Sequence, residues 1–192
     1  MKQITGGEFI GLIQQNPSWC KNLKEQLEIT TFADFRNSQI THLSPLLTFS
    51  HKEWAGDFSN CKDLKVATGT FHGPVDFSRS SIEKIENLTV TGTNKYRAST
   101  SFFGCQNLKV ATGNYKGSAD FRNSGVTSIK NLIIKNSTIN GEKAWLTRCP
   151  IQYVPKEYRT EKFHFDEGVK EKSTLKDRTI NKIKEETNNI EL

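Results

Sequence analysis

The residues able to do chemistry in this chain are few, and they recur. Four cysteines, Cys20, Cys61, Cys105 and Cys149, stand 41, 44 and 44 residues apart. A deprotonated thiol can act as a nucleophile or metal ligand, but zinc sites and disulfide frameworks use closer pairs than this spacing supplies. The four histidines, His42, His51, His72 and His164, make no metal-binding spacing with each other or with the cysteines. Asp34, Asp76 and Asp120 each precede a phenylalanine and suggest a carboxylate ladder for catalysis or calcium. Unpaired acids stacked in one line would repel each other, so these three are expected to serve turns or caps instead. The sequence has no serine or cysteine nucleophile signature and no phosphate-cradling glycine loop. Gly69, Gly73, Gly113 and Gly117 simply recur at a step of 44 and read as turn residues. Neither enzymatic activity nor a cofactor or metal is expected.

The elements that would position these groups are repeats. Cys61-Lys62-Asp63-Leu64-Lys65-Val66-Ala67-Thr68-Gly69 returns 44 residues later as Cys105-Gln106-Asn107-Leu108-Lys109-Val110-Ala111-Thr112-Gly113. A second phrase, Asp34-Phe35, Asp76-Phe77 and Asp120-Phe121, runs between these copies, so the period contains two half-units. Leu64, Leu88, Leu108 and Leu132 are 24, 20 and 24 residues apart. That step suits a solenoid in which each unit covers its neighbours, as does the low apolar content of 34%. Alternation within Leu-x-Val places Leu64 and Val66, or Leu132 and Ile134, inward on short strands, with Lys65, Thr89, Lys109 and Ile133 between them facing out. Cys61, Cys105 and Cys149 then become one buried rung in successive turns.

Phe58-Ser59-Asn60-Cys61-Lys62-Asp63-Leu64 and Phe102-Phe103-Gly104-Cys105-Gln106-Asn107-Leu108 resemble the units of divergent bacterial leucine-rich repeat proteins of the surface-antigen type. The resemblance covers roughly residues 30–155 and implies a binding scaffold without fixed chemistry. Gln152 stands where the leucine after Cys149 should be, as expected of a degenerate terminal unit. Ala-Asp-Phe also resembles the core of pentapeptide-repeat helices, but the pentads are too sparse to build one. The expected fold is thus a leucine-rich-repeat-like solenoid of short parallel strands stacked into one sheet, over residues 29–168. A helical cap is expected over 1–28, and a charged helix or tail over 169–192, starting after a Ser173 cap and preferentially docked.

Charge is concentrated. Residues 87–154 hold nine Lys and Arg against two acids, a net of +7, whereas residues 155–192 balance. With no catalytic constellation, the outward row Lys65, Thr89, Lys109, Ile133 and Tyr153, with Lys95, Tyr96, Arg97, Lys116 and Arg122 nearby, is the expected partner-binding surface. The expected partner is another protein with an acidic surface. Nucleic acid is the alternative, with Tyr96, Tyr115 and Trp145 available for stacking. The sequence shows no membrane span and no secretory leader. Free buried thiols point to a reducing setting, either the cytoplasm or a host cytosol reached without a classical signal.

Overall fold

The Asp-Phe phrase and the Phe-to-Cys phrase form the same corner. Gly56-Asp57-Phe58-Ser59-Asn60-Cys61 aligns position by position with Ala33-Asp34-Phe35-Arg36-Asn37-Ser38 and Val75-Asp76-Phe77-Ser78-Arg79-Ser80. In six successive coils the residue before the terminal Ser or Cys has positive φ: Asn37 (58°), Asn60 (58°), Arg79 (55°), Gly104 (72°), Asn123 (54°) and Arg148 (59°). A left-handed residue reverses the chain sharply, and Asn and Gly accept that conformation most readily. The corner therefore sets the coil, and the two apparent half-units are successive coils of one type.

The computed structural model describes residues 1–94 and 98–188, with side chains through residue 181. The chain is a parallel β-solenoid. Numbered in chain order, one sheet contains β1 (Lys2–Ile4), β2 (Leu27–Ile29), β4 (Leu47–Phe49), β6 (Val66–Phe71), β8 (Lys84–Val90), β10 (Val110–Tyr115) and β12 (Ser128–Ile134). The other contains the two-residue strands β3 (Ala33–Asp34), β5 (Gly56–Asp57), β7 (Val75–Asp76), β9 (Thr100–Ser101), β11 (Ala119–Asp120), β13 (Ala144–Trp145) and β14 (Phe163–His164). Between β1, which leads into α1, and β14, which follows β13 directly, each coil gives one strand to each sheet, so a second sheet lies across the core from the expected one.

Between the sheets runs an aromatic stack. Phe35, Phe58, Phe77, Phe102 and Phe121 follow one another at ring separations of 5.1, 5.3, 5.4 and 5.3 Å, nearly parallel and fully buried. Inter-strand spacing in a sheet is about 4.8 Å, so one ring per coil continues the repeat through the core. Phe49 and Phe71 stack alongside at 4.5 Å. At the amino-terminal end the stack is closed by α1 (Gly6–Gln15), whose Phe9 meets Phe35 edge-on at 5.1 Å. A capping box starts that helix, with Glu8 N–H donating to Thr5 Oγ1 and Thr5 N–H donating to Glu8 Oε2. At the other end the hydroxyl of Tyr158 pairs with both the N–H and the carbonyl of Leu132, covering the edge of β12.

The cysteines are core rungs, as expected. Cys61, Cys105 and Cys149 donate their S–H to the carbonyls of Phe35, Phe77 and Phe121 in the preceding coil, at 3.1, 3.1 and 2.9 Å. Their neighbours in that coil are Ser38, Ser80 and Ser124, at 3.6, 3.6 and 3.4 Å from the sulfur. Cys and Ser thus alternate at one position, which makes the visible period two coils.

Loop length alternates in the same rhythm. The corner from the long-strand sheet to the short-strand sheet takes residues 72–74 and 116–118 in two coils, but 91–99 and 135–143 in others. The short corners need glycine because the neighbouring coil crosses them closely. A Cβ on Gly73 would lie 2.2 Å from the His51 carbonyl oxygen, and one on Gly117 would lie 2.0 Å from Ser99 Oγ.

Two expectations about strand facing change. Val66 and Val110 do not point inward: they pair in register with Lys84 and Ser128 on the outer side, and Ala67 and Ala111 fill the core instead. A bulge then adds one residue to β8 and β12, at Asn87 (φ 50°) and Asn131 (φ 51°). Gly69 and Gly113 consequently sit within strands opposite Leu88 and Leu132, not in turns. At the carboxyl end, α2 (Val169–Asn188) begins before Ser173, which is buried in the helix and not its cap.

Removing Phe77 by substitution with alanine is expected to cost about 3–5 kcal/mol, the usual range for a buried aromatic. Arg79→Asn, two residues away, is expected to stabilise by up to about 1 kcal/mol, because asparagine tolerates the left-handed corner better. Denaturant unfolding measures both. Destabilisation by Arg79→Asn comparable to that of Phe77→Ala would contradict the corner's role.

Candidate functional surface

The reactive side chains are used up internally. Cys20, Cys61, Cys105 and Cys149 are all free and buried. Burial pushes the Cys20 thiol up to about 12 and that of Cys105 to about 11, and it raises Cys61 and Cys149 as well. A thiol held neutral is a poor nucleophile and a poor metal ligand. The histidines fall in separate places: His42 meets Thr41 Oγ1 at 2.8 Å, His72 meets Thr91 Oγ1 at 2.9 Å, and His51 lies 3.0 Å from the Trp54 carbonyl oxygen. Among the described residues no group of three or more His, Cys, Asp or Glu is placed to hold a metal ion.

The aspartates form the ladder that sequence suggested, with Asp57 as an additional member. Asp34, Asp57 and Asp76 pair in register, and the line continues through Ser101, Asp120, Trp145 and His164. Each aspartate accepts the N–H two residues on: Arg36 at 3.1 Å, Ser59 at 2.9 Å, Ser78 at 2.7 Å and Arg122 at 2.9 Å. These Asx turns lead the chain into the left-handed corner, so the expected turn role is the one the side chains perform. Arg36 and Arg122 neutralise Asp34 and Asp120 through paired guanidinium contacts. Asp57 and Asp76 have serine at the equivalent position. Burial, with the neighbouring Asp57 charge as a lesser cause, raises Asp76 above the ordinary carboxylate range.

The expected binding row is only partly assembled. Thr89 and Ile133 do share a line, in register with Asn114 between them and with Thr70, Thr48 and Glu28 beyond. Lys65 and Lys109 precede β6 and β10, and their carbonyls accept from Glu83 and Thr127 at the other margin of the sheet. Lys65 also pairs with Glu83 at 3.2 Å. These lysines leave the row because they lie before the strands, between buried Leu64 and Ala67 or Leu108 and Ala111, whereas the row runs through Thr70 and Asn114 near the strand ends. The row is instead mostly neutral and β-branched, ending in Ile133, whose side chain is 52% exposed.

Tyr153 lies away from the row, under α2. Its hydroxyl donates to Asp177 Oδ1 at 2.8 Å, and Asp177 also pairs with Arg159 at 2.7 Å. The helix docks through this polar cluster and through Ser173, whose Oγ accepts the Val154 N–H at 2.8 Å. Arg122 is engaged by Asp120 and lies over the Trp145 ring at 5.8 Å. Lys95, Tyr96 and Arg97 lie outside the described residues. Of the rings expected to stack with bases, Tyr115 is fully buried, its hydroxyl donating to the Thr112 carbonyl at 2.8 Å. Trp145 is half-buried on the opposite sheet, stacked on His164.

Lys116 has company that sequence did not reveal. Lys116 and Lys135 occupy successive coils at the exit of the long-strand sheet, where their N–H groups donate to Val90 and Tyr115. Lys143 and Lys162 occupy successive coils at the entry to the other sheet, joined by Lys143 N–H donating to the Lys162 carbonyl at 2.8 Å. Unequal loops bring Lys135, Lys143 and Lys162 around one corner, beside Gly117, the residue after Lys116. No helix among the described residues is long and apolar enough to cross a membrane.

Two measurements check this assignment. The four thiols are expected to resist a thiol reagent in the native protein and to react together on unfolding, while fast native labelling of Cys61 or Cys105 would contradict their place as rungs. Asp76→Asn, which keeps an acceptor oxygen, is expected to raise Tm at pH 7. An acid with a raised folded pKa binds protons more readily when folded, so its ionisation lowers stability as pH rises through that range. The advantage of Asp76→Asn should therefore disappear on acidification below about pH 4. An equal gain at every pH would rule out this charge-based origin. Compared with protein-family models, curated proteins and solved structures, the chain finds no match in any of the three.

Proposed function

We propose that this protein is a non-enzymatic interaction module, a small solenoid that docks another protein through the outer face of its long-strand sheet and the adjoining basic flank. The observation that carries this reading is the outer line from Glu28 through Thr48, Thr70, Thr89 and Asn114 to Ile133, a continuous in-register face beside a lysine-rich corner. Parallel solenoids present such faces as extended binding surfaces. The excess of lysine favours a partner with an acidic surface. The Phe-to-Leu phrases around Cys61 and Cys105 support kinship with divergent bacterial leucine-rich repeats. Free thiols support a reducing compartment, in keeping with an effector, adaptor or inhibitor.

The lysine corner also favours a second reading, binding to nucleic acid or inhibition of a nucleoprotein complex. It is the weaker of the two because Tyr115 is fully buried and Trp145 lies on the opposite sheet between His164 and Arg122.

Passing native lysate over the immobilised protein and over its Ile133→Glu variant separates the readings. A protein retained by the first and depleted by about tenfold or more on the second is the expected result. Nucleic acid retained equally on both, and released along a steep salt gradient, would favour the second reading. Absence of any protein that distinguishes the two columns would contradict the sheet-face reading.

A further inference from the structure

The basic corner is a formed cleft, and its chemistry narrows what it can take. Its floor is the short corner at Gly117, and its walls come from the two long loops, with Thr93 and Asn94 on one side and Lys135, Asn136, Ser137 and Lys143 on the other. Lys162 borders it from the next coil, and the cleft, open to solvent, has a volume of about 500 Å³, within the ~300–1,000 Å³ common for small-molecule sites. Among the described residues every lining side chain is a lysine, an amide or a hydroxyl, and none is a carboxylate. Lys143 is held by donation of its Nζ to the Ile134 carbonyl at 3.1 Å.

Charge placement is the second observation. In the earlier coils the same two columns hold neutral residues: Ser50, His72 and Thr91 precede Lys116 and Lys135, and Pro74, Ser99 and Ser118 precede Lys143 and Lys162. Like charges at neighbouring ladder positions, about 4.8 Å apart, repel. Two such ladder pairs occur at this corner, three of their lysines, Lys135, Lys143 and Lys162, line the cleft, and among the described residues none of the four has a salt-bridge partner. The nearby acid, Glu142, is turned to Thr138 and His164.

We infer that this cleft is a binding site for a small phosphoanion carrying more than one negative charge, such as a diphosphate group. Lysines supply point charges from two walls, while Asn136 and the hydroxyls of Thr93 and Ser137 supply directional donors to phosphoryl oxygens. The inference deepens the reading of the basic flank as a recognition surface, on which it rests, and assigns a ligand chemistry to one part of it.

The experiment is a nitrogen–proton correlation NMR titration of the full chain with pyrophosphate at constant ionic strength. Saturable shifts are expected at the amides of Gly117, Asn136 and Lys143. Affinity should fall by about tenfold or more in the Lys135→Gln, Lys162→Gln double variant, whose spectrum also reports whether the fold is kept. Lys143→Gln is the second variant, expected to weaken binding in the same direction. Ile133→Glu, on the sheet face, should bind pyrophosphate as wild type does, so the cleft and the protein-docking face can fail independently. Shifts that sodium chloride reproduces at matched ionic strength, or that survive both lysine variants, would overturn the site.

Discussion

The structure depends on one constraint: five successive coils, from Phe35 to Phe121, each bring a phenylalanine to the same place, one strand spacing from the last, and Leu146 takes that place in the next coil. The left-handed residue two positions after each ring meets this requirement by turning the chain at a fixed point, and the Asx turn leads into it. With the corner fixed, rings stack at 5.1–5.4 Å and both sheets stay in register along the axis. Burying a phenylalanine removes a large apolar area from water. The stack can therefore hold together a chain with modest apolar content, because each ring contacts the coils before and after it and solvent reaches little of it.

That constraint also decides which residues remain available for function. The cysteine thiol reaches back to the previous phenylalanine carbonyl, a bond the shorter Ser80 hydroxyl makes within its own coil, to Phe77. Coils are thereby joined in pairs, and the same pairing appears as short corners lying beneath longer loops. Groups with reactive potential are spent on this framework, the thiols on the core and the aspartates on the corners. The loops and outer strand face are not, and that is where side chains are free to vary in charge. The lysine cleft arises where a short corner lies between two long loops, so it is a product of the alternation that organises the core.

Much of this could be read from the residues. The recurrence of Cys61 and Cys105, with leucines at 20 and 24 residues, was sufficient to indicate a solenoid with buried thiols. Repetition of Asp beside Phe pointed to turns, which is where Asp34, Asp76 and Asp120 are found. The identity of the two half-units was obscured because Cys replaces Ser, Gly104 replaces Asn, and Thr100-Ser101 replaces Ala-Asp. The facing of Val66 and Val110 differs from the alternation of Leu-x-Val because Leu64 and Leu108 are buried three residues before Ala67 and Ala111, in the turn ahead of the strand, so two residues and not one face out between them. The lysine cleft was illegible for a different reason: the steps from Lys116 to Lys135 and from Lys143 to Lys162, both 19 residues, lie outside the 44-residue repeat, and only the folded loop lengths bring Lys135, Lys143 and Lys162 together. Tyr153 kept the polarity of a surface residue but lies beneath α2, whose contacts are polar where an amphipathic helix would be expected to dock by its apolar side.

The coils from Phe35 to Phe121 are held to their neighbours through the phenylalanine stack. Native-state amide hydrogen exchange of Phe77→Leu against wild type tests it. Loss of protection is expected together in the coils bearing Phe58, Phe77 and Phe102, with α1 and β14 affected least, because coupling in a solenoid runs between nearest neighbours. Loss confined to the amides beside residue 77, with the flanking coils fully protected, would contradict it.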